Sequence, residues 1–236
     1  MLKAVVHQPQ YFPYPGFFHK LTIADVYVIM DDAQYDKRFT NRNKIISTSG
    51  WTWITVPINK DGKFMPNKSV EINNELQWRE LHWKKICQSY AHAPYFDLYK
   101  GDLESLYKKE WKFLSDLDLF TIKKTIEWLG LKIDIVKESE LNIQGKSTER
   151  LINACKAVGA DTYISGTGGK NYMDEKLFEK NNIKFEYQNY QPIPYKQRFA
   201  TAFIPNLSIM DMLFNSGPHS LELITKSGQN LLTLNG

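Results

Sequence analysis

Two histidines, two aspartates and a glycine-rich turn stand where apolar runs of this chain end. The run over residues 2–6 enters His7, and a stiff turn of prolines and aromatics leads on to His19 and Lys20. The run over residues 26–30 ends on Asp31 and Asp32, with Gln34 just beyond, and Gln8 and Tyr11 add polar groups to the first turn. In an open α/β sheet the carboxyl ends of the strands are where ligands bind. Imidazoles beside a helix N-terminus suit an anion such as a phosphate. Paired carboxylates suit a divalent cation such as Mg2+, or one of them suits a general base. Strand alternation turns neighbouring side chains to opposite faces, so one aspartate of the pair is expected to face a site. The bland alternatives are histidines that buttress a turn and an Asp-Asp pair that makes an ordinary one.

Further along, Arg38, Asn41, Arg42, Asn43 and Lys44 form a compact cluster of basic and amide groups suited to phosphate or carboxylate. Ser165, Gly166, Thr167, Gly168, Gly169 and Lys170 follow an apolar run and would free backbone N–H groups for an anion. The spacing is neither that of a Walker A loop nor G-x-G-x-x-G. Tyr172, Asp174, Gln188, Tyr195, Gln197 and Arg198 supply hydrogen-bonding groups of the kind sugar sites use. Ser208 with Asp211 reads as a helix start. His82, His92 and His219 lack metal-ligand spacing.

The elements that must position these groups follow from periodicity. Residues 2–7 and 25–31 read as strands around a helix over 16–24, a βαβ opening that favours a parallel sheet. Residues 44–47 and 51–57 read as a hairpin. Asn74 and Gln77 have capping-box spacing and predict a helix from Asn74. Further helices are expected over 102–115 and over 119–129 behind an Asp118 cap. A strand follows over 132–136, and a helix capped by Ser147 runs to Gly159. Residues 162–165 and 183–187 read as strands flanking a helix over 174–181, and a last helix spans 207–215. The expected architecture is an α/β core with a mainly parallel sheet, built from both ends of the chain, with a helical segment at about 74–130 inserted between them.

At 236 residues, 42% hydrophobic and 24% charged, the chain has the composition of an ordinary globular protein. Its net charge of +4 reads as mild and dispersed, which disfavours a dedicated nucleic-acid binder and leaves anionic small molecules open. Two cysteines without metal spacing, no leader-like start and no run of about 18 apolar residues lead to the expectation of a cytoplasmic protein without a membrane span.

The opening His7-Gln8-Pro9, Tyr11-Phe12-Pro13-Tyr14, Gly16-Phe17-Phe18-His19-Lys20 and Asp31-Asp32 with Gln34 resembles the WbqC-like family. So do Asn41–Lys44, Gly50-Trp51, Trp53, Tyr163–Gly166, Tyr195 with Gln197, and the segment 203–208 with Asp211. Tyr14 stands where the family more often has Trp. The resemblance covers nearly the whole chain and implies one WbqC-like domain over 1–236. It also implies a bacterial setting in O-antigen or other surface polysaccharide synthesis. The layout of His7 and His19 is similar to the histidine signature of nucleotidylyltransferases, with a wider spacing. Together these suggest a nucleotide-dependent, amide-forming ligase or acyl/aminoacyl transferase acting on an amino sugar, with ATP or a nucleotide-sugar and Mg2+ as candidate ligands. His7, His19, Asp31 and Asp32 would be the reacting groups. The alternative is a non-catalytic binder of a nucleotide-sugar or glycan.

Overall fold

The computed structural model describes residues 1–166, 168–169 and 173–227. Strands β1 (Lys3–His7), β2 (Val26–Ile29), β5 (Asp134–Lys137), β6 (Thr162–Ser165) and β7 (Lys184–Tyr187) form one sheet in the order β5-β2-β1-β6-β7. Every neighbouring pair is parallel. Taken in chain order these five strands lie 3-2-1-4-5, the doubly wound arrangement. Strands β3 (Arg42–Ser47) and β4 (Gly50–Thr55) make a separate antiparallel hairpin.

Both faces of the sheet are covered, which is why β1 is apolar without alternation. Val5, Tyr27, Ile29 and Ile164 face helices α1 (Pro15–Thr22), α4 (Leu114–Leu129), α7 (Ile209–Ser216) and α8 (Ser220–Lys226). Ala4, Val6, Val26, Val28 and Tyr163 face α5 (Ser147–Ala157) and α6 (Glu175–Lys180). The connections out of β1 and β2 therefore cross one face, and those out of β5 and β6 cross the other. Between β1 and β6 the chain parts in opposite directions, which makes the ends of these strands, at His7 and Ser165, the topological switch point where such sheets bind ligands.

The inserted helices are α2 (Trp78–Tyr90), α3 (Phe96–Lys108) and α4. Several helix boundaries differ from the sequence expectation, and Ser147 is the first residue of α5 and does not cap it, Lys146 standing before it. Asn74 opens no helix: its amide donates to the Trp111 carbonyl at 2.8 Å and its Oδ1 accepts from Trp78 Nε1 at 3.3 Å, so it pins the loop and α2 starts later. Helix α3 starts at Phe96, soon after Pro94, earlier than expected. Asp118 is no cap. It lies inside α4, fully buried, because Leu114 and Leu117 pull the preceding turn into the core. Gly130 ends α4 at φ 66°, a conformation that glycine adopts without a Cβ penalty.

The turn after β1 is strapped from four sides. Tyr11 N donates to the Thr40 carbonyl at 3.1 Å, and Phe12 N to Thr121 Oγ1 at 3.3 Å. The Phe12 carbonyl accepts from Asn43 Nδ2 at 2.7 Å and from Ser208 Oγ at 3.0 Å. Ile209 N donates to the Pro13 carbonyl at 2.8 Å. These bonds hold Phe12 at φ 40°, an uncommon conformation for a residue with a side chain. Asn43→Ala, which leaves a buried carbonyl short of a donor, should lower stability by about 1–3 kcal/mol in urea unfolding. An unchanged midpoint would show that the turn does not need this strut.

Candidate functional site

The switch point between β1 and β6 is built on Lys20. Its position on α1 directs the side chain under the sheet edge, where the residue is 4% exposed and the ammonium lies 5.7 Å from the Phe17 ring centre. Among the described residues no carboxylate or hydrogen-bond acceptor pairs with it. Burial alone holds its pKa down to about 8. The ammonium stands 3.9 Å from where a Cβ on Gly166 would be, and Gln188 Oε1 stands 4.0 Å from the same point. The absent side chain of Gly166 thus leaves room for a Cβ, a small cradle between a cation and an amide oxygen.

His7 shares this space. Its ring packs edge-on against Phe17 at 5.4 Å, and its Nδ1 lies 2.9 Å from the Gln8 carbonyl. A carbonyl can only accept, so Nδ1 carries the hydrogen and Nε2 presents a lone pair. No described residue pairs with that Nε2. Burial, then the charge of Lys20, push the His7 pKa down to about 3. His7 is therefore a neutral acceptor at pH 7.

His19 plays a different part. Its Nε2 donates to the Ser227 carbonyl at 3.1 Å, and its Nδ1 accepts from Gln188 Nε2 at 3.0 Å. Both ring nitrogens are occupied, and burial lowers its pKa. The same Gln188 amide donates to the Gly16 carbonyl at 2.6 Å. His19 thus orients Gln188, whose remaining oxygen faces the cradle. Gly16 is required for this closeness, because a Cβ there would meet Tyr14 at 2.4 Å and Tyr190 at 2.7 Å. A Cβ on Gly169 would meet Ser165 Oγ at 2.3 Å, so the turn after β6 also depends on its glycine. Ser165 is buried and donates to the Gly166 carbonyl at 3.0 Å, and Gly168 is exposed. Thr167, Lys170 and Tyr172 lie outside the described residues.

The aspartates end β2 but do not converge on this point. Asp31 accepts from Ser139 N at 2.9 Å and Ser139 Oγ at 2.6 Å, which ties β2 to the turn after β5. Asp32 pairs with Lys68 at 2.6 Å and Arg150 at 3.5 Å, and Lys68 above all lowers its pKa. These partners leave neither carboxylate arranged to hold a divalent cation.

The remaining candidates serve other contacts. Gln8 Oε1 accepts from Asn67 Nδ2 at 3.4 Å, and Gln34 bridges to Pro66. Asn41 Nδ2 donates to the Val56 carbonyl at 2.8 Å. Arg38 pairs with Asp36 at 2.6 Å, and Arg42 and Lys44 lie over Trp53 and Trp51 on the hairpin. Tyr11 is fully buried, with its hydroxyl against Tyr107 and 3.2 Å from His82 Nδ1. Tyr195 and Gln197 both bond to the buried Asp211, at 2.8 and 2.7 Å, and form a packing network with Tyr90. Sequence reasoning missed Tyr190 and gave Asp118 the wrong place. Nothing in local pattern flags either, because their surroundings come from distant segments.

A central parallel sheet in doubly wound order, with a buried lysine at its switch point that has no anionic partner among the described residues, defines a doubly wound α/β protein. The profile of the WbqC-like protein family matches residues 8–223, so the chain belongs to that family. It is 32% identical over 229 residues to "Uncharacterized protein Rv1507c" of Mycobacterium tuberculosis (strain ATCC 25618 / H37Rv), covering 95% of this chain and 98% of that protein. No solved structure matches. No helix among the described residues is long and apolar enough to cross a membrane.

His82, like His7, is held neutral by burial, with its pKa pushed down to about 4. In the unfolded chain both take up a proton near pH 6.5, whereas the native forms wait until about 4 and about 3. At these two histidines the unfolded state therefore binds more protons across this interval, so each contributes a loss of stability as pH drops below 6.5, opposed by the buried Asp118 and Asp211 carboxyls, whose pKa values burial raises. The slope per histidine should approach about 1.4 kcal/mol per pH unit, read as the urea unfolding free energy between about pH 7 and about pH 5. The slope is assigned by comparison with His7→Gln and His82→Gln; a slope that neither substitution changes would mean that these histidines are charged in the native protein.

Proposed function

We propose that this chain binds the phosphate of a nucleotide or nucleotide-sugar at Lys20 and transfers an acyl or aminoacyl group to the amine of an amino sugar, forming an amide. The carrying observation is the Lys20 ammonium, buried at the switch point of a doubly wound sheet with no anion beside it among the described residues. A buried charge is costly unless paired, and a phosphate oxygen in the Gly166 cradle would pair it. The Gln188 oxygen beside it would accept from a hydroxyl of the same ligand.

His7 supplies the acceptor of protons. As the amine nitrogen bonds to the acyl carbon, the bond from that carbon to its phosphate-bearing leaving group breaks, and the amine proton passes to His7 Nε2. The leaving group carries the electron pair away as an anion held at Lys20. An anion on Lys20 also removes one of the two influences that keep His7 a weak base, so ligand binding prepares the proton acceptor. Surface polysaccharide synthesis is the setting that the family resemblance supplies. A non-catalytic binder of the same ligands is favoured by one observation: Asp31 is fully engaged and leaves the switch point without a carboxylate base.

A thermal-shift and calorimetry panel of ATP, nucleotide-sugars and pyrophosphate tests the reading. Wild type should show a specific hit whose affinity falls as pH rises through about 8, where Lys20 loses its proton. Lys20→Met should bind it about 10- to 100-fold more weakly while melting no lower than wild type without ligand. Gly166→Val, which fills the cradle, should also lose the hit. Undiminished binding by Lys20→Met would refute the site, and binding without turnover on amine and acyl donor pools would favour the binder.

A further inference from the structure

The positive charge of this chain is less dispersed than its total suggests. Residues 33–66 carry six basic and two acidic side chains, whereas the rest of the chain is balanced at 24 of each. The same segment holds three of the four exposed aromatic residues among those described: Phe39, Trp51 and Phe64, the last 83% exposed, with Met65 exposed beside it.

The hairpin presents part of this surface as one layer. Phe39 packs on Trp53 at 6.3 Å, and Trp53 meets Trp51 edge-on at 5.6 Å. The Arg42 guanidinium lies 4.3 Å from the Trp53 ring centre, and the Lys44 ammonium 4.3 Å from that of Trp51. Neither cation has an acidic partner among the described residues. Tyr35 N donates to the Met65 carbonyl at 3.0 Å, which joins the loop bearing Phe64 to the segment that leads into the hairpin.

We infer that this surface docks the protein on a bilayer containing anionic lipids. Arginine and lysine held beside half-exposed tryptophans are the groups that settle at a membrane interface, with the cations on lipid phosphates and the aromatic bodies among the upper chains. A soluble polyanion fits less well. The cations already cover the indole faces that a base or sugar ring would need, the two indoles stand at 87°, and exposed Phe64 offers such a ligand nothing. Docking here would be peripheral and would involve the segment that begins at the carboxyl end of β2, the edge of the sheet that bears the switch point.

Sedimentation of the full chain with vesicles tests this. The protein should pellet with phosphatidylglycerol/phosphatidylcholine vesicles at low salt, less at high salt, and not with phosphatidylcholine alone. Arg42→Gln with Lys44→Gln should weaken binding about tenfold or more, since each cation near an anionic surface contributes about 1 kcal/mol. Phe64→Ser and Trp51→Ser, both at exposed positions, should also weaken it. Lys20→Met should not, which separates this outcome from failure of the Lys20 reading. Absence of pelleting, or equal pelleting with uncharged vesicles, would overturn the inference. So would release by a soluble acidic oligosaccharide or single-stranded DNA combined with insensitivity to Phe64→Ser and Trp51→Ser.

Discussion

Because β1 is central and its neighbours lead to connections on opposite faces, the chain must separate above His7 and Ser165. Everything at the candidate site follows from that parting. The first helix delivers Lys20 to that point, beside Gly166. Among the described residues the ammonium there meets no carboxylate, and it loses most of its water. Such an arrangement persists when the surrounding fold is stable enough to carry it, and it is resolved when a ligand brings the missing anion.

The fold carries it through a set of polar struts. Asn43, Ser208 and Thr121 hold the turn after β1, Gln188 and His19 hold the start of α1, and Asp31 holds the turn after β5. Each satisfies a buried backbone group or binds two segments far apart in sequence. That explains why so many polar residues of this chain are buried without meeting a ligand. The division of labour between the two opening histidines is of the same kind: His19 uses both nitrogens in the framework, and His7 keeps one free.

The parallel sheet was legible in the sequence because strands buried on both faces are continuous apolar runs, as Leu2–Val6 and Val26–Met30 are. The location at strand ends followed from the same pattern. The roles of individual side chains did not. Asp31 and Ser139 are 108 residues apart, and Gln188 meets Gly16 across 172. Local spacing cannot show which polar side chain such a distant partner will consume. The capping box at Asn74 failed for the same reason, since a contact with Trp111 outcompeted the helix start. Lys20 was one polar residue among several in the opening segment; only its burial without a partner set it apart.

The central claim is that Lys20 is an unpaired buried cation awaiting an anion, and NMR titration of its side-chain ammonium tests this most directly. With lysine-specific labelling and Lys20→Met to assign the resonance, the account predicts a midpoint near 8 in the free protein, moving upward when pyrophosphate or the preferred nucleotide is added. A midpoint at the ordinary lysine value of about 10.4, unmoved by any phosphate ligand, would contradict it.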